Sequence, residues 1–344
     1  MVTLFGQEWT QEELQRHIGQ IAQVAGIRAV IAADGLERGS RIFQIRTGAG
    51  LAYEVLADRA LDIGLATFRD LPLAWISPVG FVHPAFCALH EFEWLRYFSG
   101  GLLTTCGLDQ FGSPCIDQGE RLGLHGRVTG IPADRLSYEE YWINENYELR
   151  VRGEIRQARV FGENLKLLRH IRSQMGANWI EIVDTVTNEG FTRWPHMILY
   201  HFNFGFPLIA EDSVLELPSR EVIPRDDQSA AGLAMWQRFS PPTPNFREEV
   251  FRHHVEVNEE GWTTIRILNP TLRLGVSLTF VAKLLPFVFQ WKMMGEGIYV
   301  LGLEPANCGV IEGRARAREL DDLPYLQPGE SRTYTLRLEA FEHY

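Results

Sequence analysis

Cysteine is scarce in this chain. Of 344 residues four are cysteines (Cys87, Cys106, Cys115 and Cys308), and none sits in a C-x-x-C pair. There is no N-glycosylation sequon either, so the expected compartment is a reducing, cytoplasmic one. Long apolar runs are missing as well, which excludes a bilayer-spanning helix, and the N-terminus lacks the basic-then-apolar pattern of a signal peptide. Positive charge is in the minority: 33 Lys and Arg stand against 44 Asp and Glu, for a net charge of -11. That sign argues against nucleic acid or an anionic membrane as partner, but not against a small neutral ligand. Familiar motifs are absent too. Gly48-Ala49-Gly50 opens no helix, and there is no P-loop, no G-x-S-x-G and no H-E-x-x-H. His253-His254 adjoin charged residues and read as surface rather than metal ligands, so no metal site is expected.

What is present reads as β structure. The chain is 45% hydrophobic and 11% aromatic with nine Trp, which suits a thick β core or a carbohydrate-stacking cleft. Thr10 to Val24 predicts one helix. Thr10 and Glu13 have capping-box spacing, Leu14, Ile18, Ile21 and Val24 recur at helical intervals, and Gly26 ends the run. Strands are predicted at Ile42 to Ile45, Ala52 to Leu56 and Ala60 to Leu65. In the segment after them Tyr147, Leu149 and Val151 alternate with Glu148, Arg150 and Arg152. Further strands are expected over Leu165 to Ile171, Trp179 to Val186, Thr263 to Leu268, Leu272 to Phe280, Phe287 to Trp291, Ile298 to Leu303 and Tyr334 to Ala340. Residues 72 to 119, irregular and rich in Pro, Gly and aromatics, have the character of a binding-site wall. Residues 224 to 245 read as a surface excursion. No linker and no repeat divides the chain, so residues 1–344 are expected to form one all-β domain, a large antiparallel sandwich with a short N-terminal helical extension at about 10–25.

The densest strand signal runs from Asp184 to Pro207. Its second half, His196 to Gly205, places Ile198, Tyr200, Phe202 and Phe204 on one face and Met197, Leu199, His201 and Asn203 on the other. A His and an Asn side by side fit a functional face, and equally a pair of hydrogen-bonded core groups. Glu304, after Tyr299-Val300-Leu301-Gly302-Leu303 and before Pro305, closes a buried strand with an acid. Such a carboxylate either holds a structural salt bridge or, desolvated, has the raised pKa of a general base. Asp58-Arg59 fits a solvated turn, though an arginine reaching a cleft can grip hydroxyls or an anion.

Gly101-Leu102-Leu103-Thr104-Thr105-Cys106-Gly107 leading to Leu124-His125-Gly126-Arg127, then Asp184-Thr185-Val186-Thr187-Asn188 leading to Tyr200-His201-Phe202-Asn203-Phe204, then Leu303-Glu304-Pro305, form a recognisable order. Over most of its length the chain resembles the aldose 1-epimerase (galactose mutarotase-like) superfamily, and within it a bacterial branch catalogued as a domain of unknown function. The resemblance implies a β-supersandwich with its active site in a cleft on one sheet. It implies His201 as the general acid toward the ring oxygen, Glu304 as the general base on the anomeric hydroxyl, and His125 as the second histidine that orients the ring. The ligand would be a small carbohydrate, and the chemistry calls for no cofactor. A homodimer is compatible with it.

The chain also departs from the family pattern. Where typical members carry Tyr-Phe two residues after the second His, this one has Asn203-Phe204. The substrate-gripping aspartate of the following loop has no clear match, with Asp226 and Asp227 as candidates. Arg59, Arg127, Asn203, Asp109 and Gln290 are the further candidates for binding substrate, and two arginines leave room for an acidic, phosphorylated or sulfonated sugar. Trp75 and Trp291 fit either the core or a sugar-stacking face. Two alternatives stay open: an isomerase, lyase or hydrolase on the same scaffold, metal-assisted if His83 or His196 joins the site, and a non-catalytic sugar-binding protein.

Overall fold

The computed structural model describes residues 1–88 and 90–343. Half of the described residues are strand. Two large antiparallel sheets carry the fold. The first has eight strands, in the spatial order Asp134–Ile143, Asn146–Ala158, Asn164–Gln174, Trp179–Asn188, Ser331–Glu342, Leu274–Val281, Trp262–Asn269 and Val214–Glu216. The second has eleven. Its path runs Ser219–Pro224, Glu249–Val255, Phe287–Gly295, Ile298–Ala306, Met197–Gly205, Leu103–Leu108, Asp62–Phe68, Leu51–Leu56, Arg41–Arg46 and Gly26–Ile31, with Leu71–Pro72 added beside Asp62–Phe68.

Alternation decides which side chains meet between the sheets. Along Asn146–Ala158, Tyr147, Leu149, Val151 and Ile155 are buried in the main core together with Leu167, Ile182 and Leu336. Along Met197–Gly205 both faces are covered, but by different partners. Ile198, Tyr200, Phe202 and Phe204 enter the inter-sheet core, whereas Met197 and Leu199 join a second cluster with Trp75, Trp94, Phe98, Phe289 and Val310. The two faces are those expected from the sequence.

Beneath this strand the sheets are tied by a buried ionic network. Arg169, fully buried, donates to Asp184 at 2.9 and 2.6 Å and lies 3.2 Å from Asp62. Tyr200 donates its hydroxyl to Asp184, and Thr105 and Thr129 donate to Asp62. A buried ion is tolerated when its oxygens are filled in this way.

The N-terminal helix is shorter than its apolar periodicity suggests. Thr10 caps it with the full capping box, but it spans Gln11–His17 and Ile18 is extended. A separate 3-10 turn follows at Ile21–Gln23. Ile18, Ile21 and Val24 still pack on the main core, so the burial demand is met by a broken path rather than one long helix. Glu304 lies within its strand instead of ending it, because the partner strand continues to pair, with Val288 opposite Pro305. Residues 224 to 245 lie mostly at the surface, as expected, and carry structure of their own. A helix at Asp227–Gly232, capped by Asp226, and a 3-10 turn at Leu233–Met235 lie over the eleven-stranded sheet. There Gln290 and Lys292 donate to Trp236 O and Met235 O.

Candidate active site

The register between Met197–Gly205 and Ile298–Ala306 sets Phe202 opposite Leu303 and Asn203 opposite Gly302, which brings His201 and Glu304 abreast. His201 Nε2 lies 3.1 Å from Glu304 Oε1, with both side chains almost wholly buried. His125 arrives from a loop beside the strand Leu103–Leu108. His125 N–H donates to Gly112 O, and Gly107 N–H donates to His125 O. Its φ of 55° is left-handed and unusual for a residue with a Cβ. The ring stands 5.7 Å from that of His201, centroid to centroid, and 4.7 Å from Trp94. Its Nδ1 accepts from Gly112 N–H, which leaves Nε2 as the ring's donor in the neutral form.

These three residues line a cavity of about 510 Å³. Trp75, Trp94, Phe98, Leu124, Trp291 and Ile311 wall it, and Arg225 and Glu248 supply its remaining charges. The irregular stretch after residue 72 does form much of this wall, through Trp75, Ser77, Trp94 and Phe98. A larger groove of about 660 Å³ crosses Arg28, Gln44, Arg46 and Glu54 on the far strands of the same sheet, but holds no histidine.

The electrostatics of the cavity follow from burial. Burial, then the negative charge of Glu248, pushes the Glu304 carboxyl well above the usual carboxylate range, while Arg225 pulls it back. Burial, then His125, pushes His201 well below the usual imidazole value, and Asn203 works in the opposite direction. Burial alone brings His125 down to about 4. Each group is therefore driven toward its neutral form, and the close pair resists ionisation except as an ion pair.

The other candidates from the sequence lie elsewhere, and their partners explain why. Arg59 is buried and donates to Val82 O, Tyr97 O and Thr129 Oγ1, which makes it a brace for the loop behind the wall. Arg127 pairs with Glu120. Asp109 is fully buried between Arg314 at 2.6 Å, Gln157 and Trp194. Gln290, also fully buried, joins His253 to Trp236 O. Asn203 shares the face of His201 but lies under the cavity floor, its amide donating to Gly101 O and His201 O.

His253, expected at the surface, is fully buried, whereas His254 is exposed. His196 is held by Leu108 O and Tyr334, and His83 caps a short turn, so neither reaches the cavity. Among the described residues no cluster of three or more His, Cys, Asp or Glu is gathered for a metal ion. Asp226 and Asp227 are a helix cap and its first residue.

Sequence reasoning missed Arg225, Glu248, Trp94 and Phe98. For the last two the signal was available, an i, i+4 aromatic pair inside the predicted wall. For the charged pair there was none, since their pairing depends on a contact 23 residues apart.

The profile of the family described as "Domain of unknown function (DUF4432)" matches residues 37–340. The chain belongs to that family. No curated protein sequence matches it. Among solved structures, this DUF4432 member is similar to a Klebsiella pneumoniae protein provisionally described as an aldose 1-epimerase. The two share 27% identity with a TM-score of 0.86, over 92% of this chain and 83% of that one. A galactose mutarotase-like protein from Clostridium acetobutylicum aligns at 12% identity and TM-score 0.64, over 93% and 99%. Galactose 1-epimerase from Lactobacillus acidophilus aligns at 14% and 0.61, over 93% and 100%. The last two likenesses establish the galactose mutarotase-like fold and nothing finer.

Proposed function

We propose that this protein interconverts the anomers of a monosaccharide by acid–base ring opening, with Glu304 as base, His201 as acid and His125 as the residue that orients the ring. The observation that carries this reading is the 3.1 Å contact of His201 Nε2 with Glu304 Oε1 on the floor of an aromatic-walled cavity. In a cyclic hemiacetal the anomeric hydroxyl and the ring oxygen are bonded to the same carbon, so an acid and a base in mutual contact can serve both at once.

Glu304 carboxylate takes the anomeric proton, the bond from C1 to the ring oxygen breaks, and that oxygen takes the proton of His201. The products are an open-chain aldehyde, a neutral carboxylic acid and a neutral imidazole. Rotation about the C1–C2 bond and the reverse transfers close the other anomer. Each transfer is worth roughly 10²–10⁴-fold. The reactive state pairs a His201 imidazolium, protonated on both ring nitrogens, with a Glu304 carboxylate, and burial costs such an ion pair less than either charge alone. The same burial makes Glu304 a stronger base and His201 a stronger acid. The aromatic walls suit the apolar face of a sugar ring, and His125 Nε2–H suits a hydroxyl. The similarity to the Klebsiella pneumoniae protein supports the same reaction class.

Saturation-transfer NMR across a panel of sugars tests the reading. Wild type is expected to accelerate anomer exchange on at least one sugar, and Glu304→Gln, folded by circular dichroism, is expected to lose that acceleration. Full activity in Glu304→Gln would remove Glu304 from the reaction.

A further inference from the structure

The cavity has a second polar group of side chains, distinct from the reacting pair. Arg225 Nε and Nη2 each lie 3.0 Å from Asp226 Oδ2, and Nη2 lies 2.9 Å from Glu248 Oε1. The other Glu248 oxygen accepts the indole N–H of Trp291 at 2.9 Å. Arg225, Glu248 and Trp291 all line the cavity. One cation is thus shared by two carboxylates, and an indole fixes the second of them in place. Formal charge on this group is -1. The reacting pair adds nothing to it, since Glu304 and His201 are either both neutral or an ion pair, and burial drives His125 toward its neutral form.

The arginines that could have answered an anionic sugar, Arg59 and Arg127, are committed outside the cavity. For Arg225 to take an anion it would have to release Glu248 or Asp226 and leave that carboxylate beside the ligand's own charge. Arg225, Asp226 and Glu248 keep 31, 41 and 46% of their side chains exposed, so like charges brought together there are unfavourable but partly screened by solvent. Two neighbouring hydroxyls meet no such penalty: one can donate to a Glu248 oxygen while the other accepts from Arg225 Nη1, which the bonds to Asp226 and Glu248 leave open.

We infer that Arg225 and Glu248 are the specificity-determining pair of this site: they take adjacent hydroxyls of an uncharged sugar, other than the anomeric one, and turn away sugars that carry a carboxylate, phosphate or sulfonate at that position. This rests on the proposed reaction for its catalytic readout, though the recognition itself is measurable by binding alone. Trp291 contributes a ring face to the ligand and, through its N–H, the orientation of Glu248.

The test compares an uncharged aldose with the same aldose bearing a terminal carboxylate or phosphate, in exchange NMR and in ligand-observed binding. Wild type is expected to favour the uncharged sugar by about tenfold or more in kcat/KM, the ratio that follows from a like-charge penalty of one decade. Glu248→Gln should shrink that ratio by a similar factor and raise KM for the uncharged sugar more than it lowers kcat. Its effect on the basicity of Glu304 is common to both sugars and drops out of the ratio. Trp291→Phe keeps an aromatic face but frees Glu248, and should raise KM severalfold with kcat nearly unchanged. Charged sugars turned over or bound as well as uncharged ones would overturn the inference, as would an unchanged ratio in Glu248→Gln or a complete lack of sugar binding. If no sugar is turned over yet uncharged sugars bind and charged ones do not, the proposed reaction fails and the recognition stands.

Discussion

Gly302 stands opposite Asn203 on one neighbouring strand and Trp291 on the other. A methyl group there would come within 2.9 Å of Glu304 Oε1, 3.0 Å of Trp291 Cβ and 3.2 Å of His201 Cε1. The tip of Glu304 is what can yield, since the other neighbours are ring and backbone-proximal atoms. The missing side chain at 302 is therefore part of what lets the acid and the base touch. Gly302→Ala should leave the far-ultraviolet spectrum unchanged and lower the anomer-exchange rate on the order of 10²-fold, the usual cost of misplacing a reacting group by a fraction of an ångström to one ångström. An undiminished rate would mean that Glu304 need not sit against His201.

At the scale of the element, His125 owes its position to an arrangement that starts far away in the chain. Arg314, on the helix Arg314–Glu319, is 3% exposed and donates to Asp109, Asp117 and Glu120 at 2.6 to 2.7 Å, and its N–H donates to Gln110. Arg318 adds two bonds to Asp117. The loop clamped in this way carries Gly112, whose backbone meets both the N–H and the ring of His125. Replacing Arg314 by Met keeps the volume but strands buried carboxylates. Urea unfolding should show a loss of roughly 3–5 kcal/mol, the cost of removing one partner from a buried ion cluster. A loss near zero would show that these carboxylates find water or protons instead.

For the whole molecule the buried imidazoles set the acid limit of stability. His125, His196 and His253 have pKa values pushed down to about 4 by burial, and His201 lies well below its ordinary value of 6.5. In the unfolded chain each takes a proton below about pH 6.5, whereas in the native protein none does until far lower. The unfolded state therefore binds more protons between those limits, and stability falls as pH drops through them, by up to roughly 1.4 kcal/mol per unit for each histidine. Glu304 and Asp62, whose carboxyls burial raises, act in the opposite sense and offset part of the loss. The thermal midpoint should be nearly flat from about pH 8 to 7 and fall steeply from about 6.5 toward 4. A midpoint that holds level across that window would mean the native protein protonates these rings.

Local rules acting on neighbouring residues were legible in the sequence. Period-two alternation determined the sheets and sorted Tyr200 from His201 onto opposite faces, and the Thr10–Glu13 spacing determined where the helix begins. The order of His125, His201 and Glu304 pointed to the residues that the fold brings together. The fate of the other charged residues was decided by tertiary structure. Arg59, Arg127 and Arg225 look equally available in the sequence, yet all three have partners in the fold and of the three Arg225 alone lines the cavity, while Asp109 meets Arg314 across 205 positions. A strand's faces follow from its own backbone geometry, whereas a charge is free or spent according to what the rest of the chain packs beside it.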